Sequence, residues 1–261
     1  MKIIIIGDTL AAFSACEFFL GKKCEVTIVT QNAFLPYSRD KLLEYTTDKI
    51  KEKELYFANE DFYKSNQVQI IRDKQLNRID ERKKKVFLKD GPVLDYDQVF
   101  NFSLPKVNLP EIAGKHKKGV FLFSNLESAK EIKQRMAISD VACIIGTSQK
   151  IKTIAAHLLE RKREVKIMTL EDPQIEAHDN LEWIHDENPL EFIGDGELQA
   201  IKLNSKKVIA VDIAIFFQDN LKTDEELKQE GLNKIQENVP TPQTDEASAG
   251  GQKQGVTCQT S

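Results

Sequence analysis

The chain has 261 residues and a formal net charge of −4, which suits one large or two modest domains and gives no sign of a general nucleic-acid binder. Its apolar runs are far shorter than a membrane span, and Met1 opens the first strand with no signal peptide before it, so we expect a cytoplasmic protein. The cysteines are widely spread and form no paired motif, which favours free thiols over a disulfide or redox pair; they are Cys16, Cys24, Cys143 and Cys258.

The beginning of the chain has the pattern of one strand–helix–strand unit. Residues 1–6 form a largely apolar run that ends at Gly7, as in a strand buried on both faces. Small and apolar residues recur at helical spacing over residues 10–20, and residues 25–30 have the pattern of a second strand. A strand, a tight turn, a helix and a parallel strand in this length predict the opening unit of a dinucleotide-binding fold.

The turn of this unit keeps part of the glycine fingerprint of such folds. The first glycine permits the bend, the second lets a pyrophosphate approach the backbone, and the third lets helix and strand pack closely. These places hold Gly7, Thr9 and Ala12. Alanine is a usual third residue, whereas the β-branched Thr9 stands where a phosphate should nearly touch the main chain. Asn32 takes the place of the acid that accepts ribose hydrogen bonds, with an ordinary surface turn as the alternative interpretation.

Motifs further along the chain resemble a known family. Leu-Pro-Tyr-Ser-Arg precedes a helix, and a short helix, a strand and a closing strand come after it, at 35–39, 60–66, 68–71 and 95–103. With the opening unit, this order of elements resembles the FAD-dependent pyridine-nucleotide oxidoreductases. Within that family it is most similar to the rubredoxin reductase and nitrite-reductase-type NADH:flavin modules.

The resemblance implies a place for FAD. The cofactor would lie over Gly7, Thr9 and Asn32, with Arg39 reaching towards the flavin half and Ala12 at the third glycine place. The family's Ala-Thr-Gly beside the flavin is Asn-Phe-Ser at residues 101–103 here. The Gly-Asp that would bind the ribityl chain is matched only by Ala249-Gly250-Gly251, a candidate relic that lacks the Asp. We therefore expect FAD to be held weakly or not at all.

A second unit of the same kind begins near residue 140. Residues 141–146 form a buried strand, 151–160 an apolar-faced helix and 164–169 the next strand. In the family this unit holds NAD(P)H, and its glycine places here are Gly146, Ser148 and Ile151. Ile151 carries a β-branched side chain where helix and strand should nearly touch. Thr153 and Thr169 stand at the places where the family has acidic residues in this unit. NAD(P)H binding is therefore not expected.

The resulting fold prediction is α/β, with two Rossmann-like FAD/NAD(P)-binding domains, the second inserted in the first, and small antiparallel inserts. We expect the FAD-binding-like domain over residues 1–110 and the NAD(P)-binding-like domain over 111–220. Short strands around the Gly194-Asp195-Gly196 turn resemble the family's three-stranded insert. Residues 221–261 are expected to hold a charged helix at 223–231 and a disordered tail from 236, which is rich in Pro, Gln, Thr, Ser and Gly.

The chemistry-bearing residues leave three hypotheses of function. No catalytic residue and no metal site stand out, since there is no redox cysteine pair and the histidines are scattered, at His116, His157, His178 and His185. The first hypothesis is a divergent oxidoreductase-family protein with impaired or lost NAD(P)H:acceptor reductase activity, serving a protein redox partner or a larger assembly. The second is a non-catalytic scaffold or partner subunit without the cofactors. The third is a binder of another nucleotide or anion at Gly7 and the adjoining helix N-terminus.

Overall fold

Two parallel sheets, each covered by helices on one side and a small antiparallel sheet on the other, form the framework of the chain. The computed structural model describes residues 1–22, 24–146, 150–169, 175–218 and 222–238. The strands, in chain order, are β1 (Lys2–Ile6), β2 (Glu25–Val29), β3 (Gln69–Ile71), β4 (Leu76–Asp80), β5 (Lys85–Leu88), β6 (Val93–Asp95), β7 (Gln98–Asn101), β8 (Val120–Leu122), β9 (Val141–Ile145), β10 (Glu164–Met168), β11 (Leu181–Ile184), β12 (Pro189–Ile193), β13 (Ala200–Leu203), β14 (Val208–Ala210) and β15 (Ile213–Phe216). The helices are α1 (Leu10–Leu20), α2 (Leu42–Thr46), α3 (Glu60–Ser65), α4 (Leu126–Ile138), α5 (Lys150–Glu160) and α6 (Asp224–Asn238).

The first sheet has the strand order β3-β2-β1-β7, and all of its pairs are parallel. Alternate side chains of β1 point to opposite faces because a strand has a period of two. Ile3 and Ile5 pack under α1, while Ile4 and Ile6 pack against β5 of the antiparallel sheet β4-β5-β6. Burial on both faces explains why β1 is an unbroken apolar run in the sequence.

The second sheet has the order β11-β10-β9-β15-β8 and is also parallel throughout. Ile144 of β9 faces α4 and α5, and Cys143 on the opposite face packs against the antiparallel sheet β12-β13-β14. The predicted α/β fold, with two separate parallel sheets and small antiparallel inserts, is therefore confirmed.

The last helix is longer than the sequence pattern suggested. We expected it over residues 223–231, but α6 runs from Asp224 to Asn238, so Gly231 does not end it. A Cβ on Gly231 would lie only 2.6 Å from the Cβ of Ala11, so the glycine permits close packing of α6 on α1. Ile235 is buried in the same core as α1. The chain thus returns to the first sheet after the second, while the predicted tail beyond residue 238 lies outside the described residues.

The segment after β2 joins the two sheets. Tyr37, Leu42, Tyr45 and Leu55 are buried in one cluster with residues of α4 and α5, such as Ile154. A connection that starts in the first sheet therefore completes the helical layer of the second. Within the described ranges, each helix falls short of the length or the apolar character that crossing a bilayer would need.

Candidate dinucleotide clefts

A cleft of about 220 Å³ opens where β1 and β2 end. Its lining includes Gly7, Asn32 and Arg39, so the fold brings together three of the residues predicted from the sequence. Ligands of parallel sheets bind at the carboxyl ends of the strands, which is where this cleft lies. Thr9 and Ala12 lie outside its lining.

Gly7 is required by the backbone around it. Its φ is +133°, and a Cβ there would lie 2.8 Å from the carbonyl oxygen of Phe102. The Gly7 amide donates to the carbonyl of Val29 at 2.9 Å, and the Phe102 amide donates to that of Ile6 at 2.7 Å. The strands on both sides of β1 therefore close around this glycine, and its presence alone says little about a ligand.

Asp8 and Asn32 form a polar pair in the same cleft. The Asn32 amide Nδ2 donates to Oδ2 of Asp8 at 2.8 Å, and the backbone amide of Phe34 donates to Oδ1 of Asn32 at 3.2 Å. The Tyr37 amide donates to the carbonyl oxygen of Asp8 at 3.1 Å. Both side chains are thus oriented by the fold. Sequence reasoning missed Asp8, although an acidic residue between the first two glycine places was a visible signal.

Thr9 and Ala12 serve the helix rather than the cleft. The side-chain oxygen Oγ1 of Thr9 accepts from the amide of Ala12 at 3.4 Å and caps α1. Both residues are 0% exposed. Thr9 borders a neighbouring cavity of about 210 Å³, whose other walls include Phe102 and Leu227. The second glycine place is therefore covered by α6 and the segment after β7.

Arg39 lies at the junction of the two sheets. Its guanidinium donates to the carbonyl oxygen of Ser124, just before α4, and its backbone amide donates to Asp224 Oδ1 at 3.2 Å. Asp224 also accepts from the Ser38 hydroxyl at 2.6 Å, and its own amide donates to Asp40 at 3.1 Å. The start of α6 is therefore fastened to the loop that carries Arg39.

Two ionisable side chains beside this loop have shifted pKa values. Burial, with the nearby charge of Asp8 as the next cause, raises the pKa of Tyr37 well above its ordinary value. Its phenol oxygen accepts from the Leu126 amide at 3.1 Å and so helps to cap α4. Burial also raises the pKa of Asp40, and the Asp224 carboxylate adds to this rise while the hydrogen bond from the Asp224 amide opposes it.

The second unit has a glycine in the equivalent turn. Gly146 has a φ of +138°, and a Cβ there would overlap the carbonyl oxygen of Phe217. Ile151, in the first turn of α5, is 1% exposed and packs in the core that contains Ile144. Ser148, which was predicted to contribute to this site, lies outside the described residues.

A separate ionic cluster connects the two units beside α5. The Asp48 carboxylate lies 2.8 Å from Lys133 Nζ and 2.9 Å from an Arg161 guanidinium nitrogen. The hydrogen bond from Lys133 is the main cause of the lowered pKa of Asp48. His157 is buried, and its ring Nδ1 lies 2.9 Å from Arg161. Burial, followed by the Arg161 charge, lowers the pKa of His157.

The described cysteines are free thiols. Burial raises the pKa of Cys16 to about 12 and also raises that of Cys143, so both remain protonated at neutral pH. Across the ranges that the structure covers, no three or more His, Cys, Asp or Glu side chains are grouped to hold a metal ion.

Comparisons with known proteins identify a family and several relatives. The family model described as "Pyridine nucleotide-disulphide oxidoreductase" matches residues 1–235. The NADH-rubredoxin oxidoreductase of Clostridium acetobutylicum is 29% identical over 145 residues, which cover 56% of this chain and 38% of that protein. Apoptosis-inducing factor 3 of Mus musculus is 23% identical over 232 residues, covering 82% of this chain and 38% of the relative.

The fold has solved counterparts. The crystal structure of the covalent putidaredoxin reductase–putidaredoxin complex matches with a TM-score of 0.73 and 16% identity, over 83% of this chain and 58% of that one. The chain spans about two fifths of the length of the Clostridium and Mus relatives, at 38% of each. Since the family model covers most of the sequence, the chain belongs to the pyridine nucleotide-disulphide oxidoreductase family.

Proposed function

We propose that this chain is a divergent FAD/NAD(P)-type oxidoreductase-family protein whose NAD(P)H:acceptor reductase activity is impaired or lost, and which binds FAD weakly at the cleft over Gly7. The observation that carries the proposal is the complete burial of Thr9, at 0% exposed. In the dinucleotide-binding fold, a pyrophosphate approaches the backbone at this place and lies at the helix N-terminus. With Thr9 buried under α6 and the segment after β7, beside a cavity of about 210 Å³, that approach is obstructed.

The remaining features of the first cleft support the same conclusion. Its volume is about 220 Å³, below the roughly 300–1,000 Å³ of pockets that enclose a drug-sized ligand, and FAD is larger still. Replacing the ribose-binding acid by Asn32 removes a charged hydrogen bond worth roughly 1.5–3 kcal/mol, or about one to two decades of affinity. The residues present therefore do not fit a tightly held FAD.

The second unit supports the loss of reductase activity. Binding NAD(P)H needs a helix N-terminus whose amides and dipole can reach the phosphates. Ile151 occupies the third glycine place with a buried β-branched side chain, and Thr153 stands at the place of one of the family's acids. We therefore propose residues 1–110 and 111–220 as two domains that keep the layout of FAD and NAD(P) domains with altered sites.

The experiment is a flavin-retention assay. The chain is purified with excess FAD, desalted, and its flavin-to-protein ratio is measured from visible absorbance. We expect far less than one flavin per chain. One flavin retained per chain would contradict the proposal, and Arg39→Ala should then lower the occupancy. Arg72→Ala is the matched control, since Arg72 is paired with Glu60 and lies outside the cleft lining.

A protein partner is a second part of the proposal. One relative is named for rubredoxin, and one solved counterpart is a covalent complex with putidaredoxin. These names favour a chain that works beside a small redox protein or within a larger assembly. If neither FAD nor NADH binds at saturating concentrations, the non-catalytic partner subunit becomes the better candidate. A reducing compartment such as the cytoplasm suits both versions, because the described thiols are free.

A further inference from the structure

The carboxylate of Asp8 lies in the first cleft, just before the start of α1. Oδ2 of Asp8 accepts the Asn32 amide at 2.8 Å, and its backbone oxygen accepts the Tyr37 amide at 3.1 Å. Asp8 is therefore held in place from two sides while remaining partly exposed to the cleft. A negative charge is thus already present where the helix N-terminus would otherwise favour an anion from outside.

The Asp8 and Asn32 side chains together disfavour a phosphate ligand. An ionised carboxylate only accepts hydrogen bonds, and phosphate oxygens do the same, so Asp8 and a pyrophosphate would meet as like charges with no hydrogen bond between them. Two unit charges a few ångströms apart in a partly buried cleft repel strongly. Ribose hydroxyls, in contrast, can donate to Asp8 and to the remaining lone pair of Asn32 Oδ1, whose other contact is the Phe34 amide.

The formal charges of the cleft lining balance, so the position of Asp8 rather than the net charge of the cleft is what matters. The guanidinium of Arg39 donates a hydrogen bond to the Ser124 carbonyl at the junction of the sheets. Lys106 also lines the cleft, and Glu127 opposes it with a charge of its own. Among these side chains, Asp8 is the one joined directly to the residue at the ribose place.

We infer that Asp8 is the specificity-determining residue of this cleft: it rejects the pyrophosphate of a dinucleotide and favours an uncharged nucleoside. The inference rests on the proposed function and adds a second cause of weak FAD binding, beside the burial of Thr9, at a cleft that keeps Gly7 and Arg39. It also argues against an anion as the preferred ligand of this turn.

The test compares adenosine with ADP by isothermal titration calorimetry at low ionic strength. We expect the wild-type chain to bind adenosine more tightly than ADP. Asp8→Asn keeps the size of the side chain and an oxygen that can accept the Asn32 amide, and it should raise ADP affinity roughly tenfold with little change for adenosine. In the wild type, about 1 M salt should shrink the preference, since charges are then screened within about 3 Å.

Glu17→Gln is the control, because it removes the same charge from the exposed side of α1 and should leave the ratio of the two affinities unchanged. Asp8→Ser replaces Asp8→Asn if the latter fails to give a wild-type circular dichroism spectrum. The inference is overturned if the wild type binds ADP as tightly as adenosine, if neither ligand binds, or if the Asp8 variant leaves the ratio unchanged. Flavin retained by the wild type would instead overturn the proposed function, whatever the Asp8 variant does.

Discussion

The two strand–helix–strand units keep the same first glycine and differ at the later glycine places. Gly7 and Gly146 have nearly equal φ angles, +133° and +138°, and a Cβ on either would collide with a carbonyl oxygen of the neighbouring strand's extension. The third glycine place, in contrast, holds Ala12 in the first unit and Ile151 in the second, and both are buried. The first glycine is thus required by the sheet, whereas the later places accept other side chains within the same fold.

The described residues at the later glycine places of both units serve the fold, whereas the fingerprint would have these places admit a dinucleotide. At Ile151 the core of the second unit has taken in a larger side chain, and α5 still packs on β9 and β10. At Thr9 the side chain caps α1 under α6. The fold therefore persists in both units although the side chains at the later glycine places differ from the fingerprint.

The strongest test of this separation is Gly146→Ala. The substitution places a Cβ against the Phe217 carbonyl at a strained φ, and we expect a loss of about 3–5 kcal/mol in the free energy of unfolding. Gly196→Ala is the matched control, since its φ is +75° but nothing lies within 4 Å, so strain alone should cost about 1–2 kcal/mol. Urea unfolding measures the stability loss of both variants. Equal losses would contradict the view that contact with the Phe217 carbonyl requires a glycine at residue 146.

Ile151→Ala tests the third place. The side chain is 1% exposed in the core, so its truncation should leave a cavity and cost about 2–4 kcal/mol in urea unfolding. We also expect no gain of NADH binding in calorimetry, because the acids of the site are still missing. A variant as stable as the wild type would show that Ile151 is not a core residue, and one that binds NADH would show that Ile151 alone blocks the site.

Asp224→Ala tests whether α6 belongs to the first unit. The change leaves the buried Ser38 hydroxyl and the Arg39 amide without their acceptor, and should cost about 1–3 kcal/mol in the free energy of unfolding. Amide hydrogen exchange in α6 should rise. Glu225→Ala, on the exposed side of the same helix, should change either quantity little. Unchanged exchange in Asp224→Ala would show that α6 is held by other contacts.

The smallest expected effect concerns the boundary between the units. The pKa of His157 is lowered in the folded protein, so the unfolded chain binds the proton more readily and stability is lost as pH falls below the ordinary pKa of 6.5. His157→Gln should remove this loss, which is at most about 1.4 kcal/mol per pH unit. Unfolding by urea between pH 7.5 and 5.5 measures it, with the exposed His185→Gln as control. If the free energy of unfolding depended on pH identically in His157→Gln and the wild type, the lowered pKa of His157 would be contradicted.

Much of the fold could be predicted because its signals are local. The apolar runs of β1 and β9, each ending at a glycine, are readable over a few residues. The contacts that shape the cleft and the loop beside it are not: Asn32 and Asp8 are 24 residues apart, and Ser38 and Asp224 are 186 apart. The length of α6 likewise depends on the contact of Gly231 with Ala11, which no pattern within the helix reveals.

Sequence reasoning also assumed that the fingerprint positions point at a ligand. Thr9 was expected beside a phosphate, but its side chain caps the helix and its surface is covered. Asn32 and Arg39 do line the expected cleft, although both are engaged in hydrogen bonds within the chain. A position in a motif predicts where the backbone lies far better than it predicts what the side chain does there.

The central proposal is that this chain keeps the reductase fold while its own reductase activity is impaired or lost. The direct measurement is NADH- and NADPH-dependent reduction of an electron-accepting dye by the purified chain, in the presence of saturating FAD and without oxygen. We expect no reduction beyond that given by free FAD. A rate that saturates with NADH and scales with the concentration of the chain would contradict the claim and identify a working reductase.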